Sequence, residues 1–206
     1  MKALRVFVIR HGETDFSRAR RFAGARDVPL TARGRLQSEA VAAALAAEPL
    51  TAVYASPLER ARASAELIAK PHGLEPRLAP VFREMAFGQW EGLLRDELAA
   101  RSPADATAWR DTPHLAAPPG GERLAEVAAR VGEGVAMLRD SHAGATVALV
   151  THAIVTRLIV LQGLGLGPER LWSVDASPAG ITELEYQGEW VTVHRMNTVA
   201  HLDGTP

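Results

Sequence analysis

The stretch LRVFVIRHGET, residues 4–14, decides the fold of this chain. Its first half, Leu4–Ile9, is a short and mostly apolar run that predicts a buried strand. The predicted strand stops at Arg10 and His11, just before a glycine that opens a loop. An imidazole supplies a nucleophilic nitrogen, and a guanidinium neutralises phosphate oxygens with its planar fork of donors. A lone histidine at a strand end is more often structural, so the rest of the chain decides between these interpretations.

The composition is that of an ordinary globular protein. The chain has 206 residues, of which 47% are hydrophobic and 23% are charged, and this length is enough for a sizeable core. The formal net charge of −1 creates no field that would attract nucleic acid or acidic membranes. No apolar run is long enough to cross a bilayer, and the lack of cysteine excludes disulfides and thiol catalysis. We therefore expect a cytoplasmic protein that binds neither nucleic acid nor membranes.

Predicted strands and helices alternate along the chain, which favours parallel strands joined by helical crossovers. Strands are predicted at Leu4–Ile9, Thr51–Ala55, Leu78–Phe82, Ala145–Val150, Ile181–Tyr186 and Trp190–Met196. The run at 145–150 is strongly apolar, so we expect it in the middle of the sheet with both faces covered. The sequence predicts an α/β fold, a three-layer sandwich whose central sheet is mostly parallel with helices on both faces. Residues 1–206 are assigned to a single domain.

Helix starts and one irregular segment complete this organisation. Thr31 is a good N-cap for one helix, and the Ser-Pro pair at 56–57 offers a second helix an N-cap followed by proline at its first position. Apolar residues at helical spacing predict two further helices near residues 124–138 and 154–161. Residues 86–120 hold several prolines and two tryptophans without a clear period. We expect this segment to form an irregular cap over the site.

Residues suited to phosphate chemistry follow several of the predicted strands. Arg10 and His11 end the first strand, and Arg60 lies about one turn into the helix after the second. His152 follows the central strand, and Glu84 follows the third. Ligands of open α/β sheets bind at the carboxyl ends of the strands. Each residue alone has an ordinary interpretation, such as a solvated arginine or a buried core histidine, but together they predict one pocket.

The ordered set of motifs resembles the histidine phosphatase superfamily, which includes phosphoglycerate mutases and many small phosphatases. The matching segments are Arg10–Thr14, Pro29–Thr31, Ser56–Ala61, Glu84, Phe87–Gly92, Pro119–Glu122, Val150–His152, Asn197 and His201–Leu202. They cover nearly the whole chain. The set in this order is highly specific, whereas any single segment is not.

The resemblance implies a role for each residue of the predicted pocket. His11 would attack phosphorus and become a phosphohistidine, and Glu84 would protonate the leaving oxygen and then activate water. Arg10, Arg60 and His152 would hold the three equatorial oxygens. Two arginines and a protonated His152 could replace the metal ion of other phosphoryl-transfer sites, so we expect no metal and no cofactor. Nearby cations should lower the pKa of Glu84, which favours an acidic to neutral optimum.

A second group of residues is predicted to surround the substrate. It comprises Thr14, Ser17, Phe22, Gly24 and Ala153. Two of them depart from the pattern of the family, because Ser17 stands where asparagine is common and Ala153 where glycine is common. The aromatic residues expected near the rim are Phe22, Phe87, Trp90 and Trp109, with Trp90 favoured for the core. If Phe22 and Trp109 face the site, a substrate with an apolar or ring moiety would fit.

The sequence leaves alternatives for the activity. A mutase returns the phosphoryl group to a held intermediate, whereas a phosphatase transfers it to water. The resemblance implies extra basic substrate-binding residues in the stretch after the site glutamate of the family's mutases. Here residues 93–120 are short and contain Arg95, Arg101 and Arg110 but no adjacent basic pair, so a phosphatase of small phosphorylated metabolites is favoured. A non-catalytic module that binds phosphorylated ligands would have lost His11 or Glu84, and both are present. Leu171, Trp172 and the two late strands could pack internally or form the face of a homodimer.

Overall fold

A six-stranded sheet forms the centre of the protein in the computed structural model, which describes residues 2–204. The strands are β1 (Leu4–Arg10), β2 (Leu50–Ala55), β3 (Arg77–Leu78), β4 (Thr146–Thr151), β5 (Ile181–Gln187) and β6 (Trp190–Thr198). They lie in the order β3-β2-β4-β1-β5-β6. β4 is parallel to β1 and to β2, while β5 is antiparallel to β1 and to β6. The α/β fold with a mostly parallel sheet is confirmed, and the apolar strand β4 is central as expected.

Helices cover both faces of the sheet. They are α1 (Asp15–Arg18), α2 (Ala32–Leu45), α3 (Glu59–Ala69), α4 (Arg95–Arg101), α5 (Pro103–Asp111), α6 (Leu124–Ser141) and α7 (Ala153–Gly163). On one face, Val41 of α2 belongs to the same buried apolar cluster as Phe7 of β1. On the other, Ile159 of α7 clusters with Val8. Because successive strand residues point to opposite faces, one strand anchors both helical layers.

The third predicted strand, Leu78–Phe82, is wrong over most of its length. Only Arg77–Leu78 pairs with β2, and Pro80–Phe82 forms a turn of 3-10 helix. The proline has no N–H to donate to a neighbouring strand, so the ladder ends before it. Phe82 is fully buried and anchors this turn immediately before Glu84.

The Ser-Pro pair at 56–57 predicts a helix that begins at residue 57, but the helix after β2 begins two residues later. α3 starts at Glu59, whose N–H donates to the carboxylate of Asp27 at 2.7 Å. The hydroxyl of Ser56 is engaged elsewhere, because its Oγ lies 2.7 Å from Nε2 of His152. A residue predicted to cap a helix therefore belongs to the candidate site.

The other helix predictions are confirmed. Thr31 Oγ1 accepts a hydrogen bond from the Gly34 N–H at 2.9 Å at the start of α2, and α6 and α7 enclose the two predicted apolar runs. Residues 86–120 contain α4 and α5. Over residues 2–204, none of the helices has both the length and the apolar character needed to span a membrane.

Candidate active site

A cavity of about 390 Å³ opens where β1 and β4 end. The predicted site residues that line it are Arg10, His11, Thr14, Ser17, Phe22, Gly24, Arg60, Glu84 and Ala153. His152 is fully buried and lies beside His11, with 5.1 Å between the two ring centroids. The fold therefore brings together residues that are far apart in the sequence.

His11 is held in one tautomer with one nitrogen available. Its Nδ1 lies 2.7 Å from the carbonyl oxygen of Gly12, so this nitrogen carries the proton and donates it. The lone pair of Nε2 then faces Nε of Arg60, which donates to it at 3.2 Å. Burial, and next the charges of Arg60 and Arg10, lower the pKa of His11 well below its ordinary value. The imidazole is thus neutral and its Nε2 is a potential nucleophile.

Arg60 holds the first loop of the site as well as the histidine. Its side chain is buried and donates to the carbonyl oxygens of Gly24 at 2.9 Å and Arg26 at 2.7 Å. Gly24 has a φ of +56°, and a Cβ here would overlap the Glu91 carboxylate. Only glycine adopts this conformation without strain, so the residue at position 24 determines where the guanidinium lies.

Arg10 has donors that the protein leaves free. Its Nη1 donates to the carbonyl oxygen of Ala176 at 2.7 Å, whereas its buried Nε has no partner among residues 2–204. Burial lowers the pKa of Arg10 to about 10, so the guanidinium still carries its charge at neutral pH. A buried donor without an acceptor is unfavourable until a ligand supplies one. The free Nε indicates a place for an anionic oxygen.

His152 offers a second free nitrogen. Its Nε2 bonds to Ser56 Oγ at 2.7 Å, and its buried Nδ1 has no partner within the part of the chain that the structure describes. Burial, followed by the charge of Arg60, lowers the pKa of His152 well below its ordinary value. The protonated His152 expected from the sequence is therefore wrong for the ligand-free site, because a cation is poorly tolerated in this buried position.

Glu84 also differs from the expectation for its pKa. Its side chain is buried at the edge of the cavity, and one carboxyl oxygen accepts a hydrogen bond from the Met85 N–H at 3.1 Å. Burial raises the pKa of Glu84 by more than the charges of Arg60 and Arg10 lower it. The sequence prediction was wrong in direction because it counted the cations and could not count the loss of water. A raised pKa suits a carboxyl group that donates a proton.

Thr14 and Ser17 line the cavity, but their polar groups largely serve each other. The Thr14 N–H donates to Ser17 Oγ at 2.9 Å, and the Ser17 N–H donates to Thr14 Oγ1 at 3.1 Å. These bonds form a capping box at the start of α1. The serine that replaces the asparagine common in the family therefore stabilises the loop that carries it.

The aromatic residues form a cluster beside the cavity. Phe22, Phe87 and Trp109 line it, while Trp90 lies behind them in the core as expected. Ring centroids lie 5.0 Å apart for Phe22 and Phe87, and 5.3 Å apart for Trp109 and Trp172. Phe22 is only 6% exposed and Trp109 only 4%. The cluster therefore supports the wall more than it offers open ring surface.

The wall also contains residues that the sequence analysis missed as site residues. They are Arg20, Arg21, Arg95, Arg157, Trp172 and Asp175. Arg157 had a usable signal, because it lies four residues after Ala153 on α7 and shares its face. Trp172 had none, since it belongs to the 3-10 segment Pro168–Ser173, whose placement depends on packing against α7.

Three of the remaining histidines make contacts outside the cavity. His142 bonds to the hydroxyl of Tyr54 at 2.9 Å, His194 lies 3.2 Å from Glu185, and His201 bonds to a backbone carbonyl oxygen. Among the described residues, 2–204, no group of three or more potential ligands is arranged to hold a metal ion.

Comparisons with known proteins agree on one family. A model of the histidine phosphatase superfamily (branch 1) matches residues 6–199. Phosphoserine phosphatase 1 of Hydrogenobacter thermophilus is 29% identical, over 97% of this chain and 94% of that protein. The probable phosphoglycerate mutase GpmB of Photorhabdus laumondii is 31% identical, over 97% of this chain and 95% of its own. The structure of a mycobacterial glucosyl-3-phosphoglycerate phosphatase has the same fold, with a TM-score of 0.87 and 29% identity. The match covers 95% of this chain and 99% of that one.

Proposed function

Because the chain belongs to the histidine phosphatase superfamily and is a phosphatase, we propose that it hydrolyses small phosphate esters through a phosphohistidine on His11. One observation carries this assignment. The bond from Nδ1 to the Gly12 carbonyl leaves Nε2 of His11 as its only nitrogen with a lone pair, which accepts a hydrogen bond from Arg60 Nε in the ligand-free site. This nitrogen is neutral, buried beside two guanidinium groups, and at the cavity that a phosphate ester would enter.

The first half-reaction forms a bond between Nε2 of His11 and phosphorus. The bond between phosphorus and the ester oxygen breaks, and the proton of the Glu84 carboxyl group moves to that oxygen, which leaves as an alcohol. In the second half-reaction the Glu84 carboxylate takes a proton from water as the water oxygen attacks phosphorus. The N–P bond then breaks, inorganic phosphate leaves, and both side chains return to their starting states.

The charge on the transferred group is stabilised by donors that are already in place. Arg10 contributes its free Nε, and Arg60 lies next to the nucleophile. Fixed donors in a site that excludes water stabilise such charge more than solvent does. We propose that His152 completes the set with an Nδ1–H donor while its ring stays neutral.

Ser56 would act as the positioning residue for His152. The Leu58 N–H points to Ser56 Oγ at 3.4 Å, which leaves the hydroxyl proton to donate to Nε2 of His152. A histidine that accepts at Nε2 carries its proton on Nδ1. Ser56 therefore selects the tautomer that can donate to a phosphate oxygen.

The experiment that tests the activity is phosphate release from a panel of phosphomonoesters in EDTA, with His11→Ala as the blank. Release by the wild type that the variant lacks supports a metal-independent phosphatase. Release restored only by added divalent metal would contradict metal independence, and equal release by both proteins would contradict the role of His11.

A mutase remains the second candidate, since one relative is named a probable phosphoglycerate mutase. Incubation with 3-phosphoglycerate followed by ³¹P NMR separates the two outcomes. A phosphatase yields inorganic phosphate, whereas a mutase yields the 2-phosphate isomer at equilibrium. We propose hydrolysis because residues 93–120 contain no adjacent pair of basic residues of the kind expected in a mutase of the family.

Three further properties belong to this proposal. The chain acts as a single domain in which residues 86–120, including α4 and α5, cap the site. It works in the cytoplasm, in keeping with its lack of cysteine. Its partner is a small phosphate ester and not nucleic acid, in keeping with its net charge of −1.

A further inference from the structure

The segment that carries Glu84 has no regular secondary structure of its own. Residues 83–87 form neither helix nor strand, and they follow the 3-10 turn Pro80–Phe82. Buried backbone carbonyl and N–H groups need hydrogen-bond partners, so side chains from other elements have to supply them here. One such partner is Thr151 at the end of β4, whose Oγ1 donates to the carbonyl oxygen of Phe82 at 2.7 Å.

Arg130 of α6 supplies three further partners. Its Nη1 donates to the carbonyl oxygens of Val81 and Arg83, each at 2.7 Å, and its Nη2 donates to that of Glu84 at 3.2 Å. The carbonyl groups of residues 81–84 are therefore all bound by side chains from α6 and β4. The backbone that leads to the site carboxyl group is fixed from outside its own segment.

Glu122 holds Arg130 in this position and binds the segment on the other side of Glu84. Its two carboxylate oxygens accept from Nε of Arg130 at 2.9 Å and from Nη2 at 3.0 Å, and one of them also accepts from the Ala86 N–H at 2.8 Å. The Glu122 N–H returns a bond to the Ala86 carbonyl oxygen at 2.8 Å. The side chains of Arg130 and Glu122 are only 12% and 16% exposed. A bidentate pair of this kind fixes geometry as well as charge.

The Arg130–Glu122 pair lies outside the cavity, since neither of its members is among the described residues that line it. Burial raises the pKa of Glu84, and the charges that oppose this shift are those of Arg60 and Arg10. The pair therefore reaches Glu84 through the position of its backbone, without contact with a bound ester.

We propose that Arg130 and Glu122 are positioning residues, which hold residues 81–86 so that the Glu84 carboxyl group meets the leaving oxygen of the ester. This inference rests on the proposed function, in which Glu84 is the general acid. Proton transfer needs the two oxygens within hydrogen-bond reach, and a misplacement of about 1 Å costs about 100-fold in rate. A pair that only stabilised the fold would instead affect all esters equally.

Arg130→Met tests the positioning role with two leaving groups. We expect kcat/KM to decrease by about 10- to 100-fold for ethyl phosphate, whose leaving oxygen needs a proton, and by less than about threefold for p-nitrophenyl phosphate. This constant reports the steps up to departure of the alcohol, so the later attack of water does not hide the difference. Circular dichroism gives the folded fraction. Equal decreases for the two esters would overturn the inference.

A double variant tests whether Arg130 acts through Glu84. In a Glu84→Gln background, Arg130→Met should cost less than about threefold in kcat/KM for ethyl phosphate, because the group that it positions has already lost its function. Losses that simply multiply would show that Arg130 acts on another step, and would also overturn the inference.

Two further variants separate hydrogen bonds from charge. Burial is the main cause of the lowered pKa of His152, and the charge of Arg130 adds to it. Arg130→Lys keeps this charge but lacks the planar fork that reaches three carbonyl groups and a carboxylate, so most of the loss should remain. Full activity of Arg130→Lys would contradict the inference. Glu122→Gln keeps an acceptor for the Ala86 N–H, should show the same selective loss at about three- to tenfold, and decides the matter if the Arg130 variants do not fold.

Arg139→Met is the matched control. Arg139 lies on the same helix α6 and also donates to a backbone carbonyl group, that of Gly188 at 2.6 Å, but this contact is remote from Glu84 in the fold. Both esters should retain their kcat/KM within about twofold. A selective loss for ethyl phosphate in this variant would overturn the assignment to the Arg130–Glu122 pair.

The outcomes distinguish this inference from the proposed function. If Glu84→Gln itself lowers kcat/KM equally for the two esters, the general acid of the proposed function is wrong, and the positioning role falls with it. If Glu84→Gln is selective for ethyl phosphate and the variants of Arg130 and Glu122 are not, only the positioning role is overturned.

Discussion

The floor of the site and its wall are built in different ways. The floor consists of Arg10, His11, Arg60, Glu84 and His152, which lie beside the ends of β1 and β4. All are buried except Arg10, which is half-buried, and they are fixed by hydrogen bonds to backbone, to Ser56 or to one another. The wall comes from residues 20–24, α4, α5, α7 and residues 168–178, and aromatic packing contributes to fixing it. From this contrast we infer that the sheet positions the reacting groups, while the other segments select the ester. Variants of the floor should affect esters with similar leaving groups alike, and variants of the wall should change their ranking.

The largest expected effect is that of His11→Ala in the floor. Loss of the nucleophile should reduce kcat by about 10⁴-fold or more for every ester. Stopped assays of phosphate release measure it, and circular dichroism checks the fold. A residual rate that depends on the ester by more than tenfold would break the distinction between floor and wall.

Glu84→Gln should have the next largest effect, and it depends on the alcohol. General acid catalysis contributes about 10²- to 10⁴-fold. The loss should be near the top of this range for alkyl phosphates, whose leaving oxygen needs a proton, and much smaller for p-nitrophenyl phosphate. Equal losses for the two leaving groups in kcat would argue against Glu84 as the acid.

The pH dependence of kcat sharpens the same assignment. The proposed reaction needs neutral His11, whose pKa is lowered, and protonated Glu84, whose pKa is raised. Activity should therefore persist on the acid side below the ordinary histidine value and decline on the alkaline side as Glu84 loses its proton, at a pH above the ordinary glutamate value. We would measure kcat with saturating substrate, because its pH profile does not depend on ionisation of the free ester. If kcat of the Glu84→Gln variant shows the same alkaline decline as the wild type, the decline belongs to another group.

Ser56→Ala tests the positioning of His152 with a moderate effect. Loss of one hydrogen bond to a buried imidazole should lower kcat by about tenfold for all esters, because the Nδ1–H tautomer is no longer selected. Ser38→Ala is the matched control, since Ser38 is equally buried but bonds to Gly34 and Ser64. Ser56→Thr, which keeps the hydroxyl, should recover most of the rate. If Ser38→Ala causes the same loss, the effect of Ser56 is only structural.

Trp172→Leu should have the smallest effect and the most selective one. Two cation–π contacts are lost, because the guanidinium carbons of Arg157 and Arg95 lie 5.3 Å and 5.8 Å from the ring centroid. We therefore expect about a twofold to fivefold decrease in kcat/KM for esters that reach the wall. The smallest ester, methyl phosphate, should change less because its alcohol does not extend that far. A uniform decrease across all esters would show that Trp172 supports the floor.

Much of the floor could be predicted because its signals are local in the sequence. Strand ends in an α/β sheet meet at one edge, so the positions of Arg10, His11 and His152 after apolar runs were enough to place them together. Ser56 could not be assigned correctly, because a serine before proline has the same local pattern whether it caps a helix or bonds to a distant histidine. The wall lacked such signals, since Trp172 lies in a segment without periodicity.

The sequence by itself determined the α/β fold, the order of its main elements and most of the residues that meet at the candidate site. Apolar periodicity and residue type are local properties, and they were sufficient for these conclusions. Only the tertiary structure decided the pKa directions of Glu84 and His152, the partner of Ser56 and the arginines of the wall. These depend on burial and on contacts between distant segments, which arise only when several elements together exclude water from the same space.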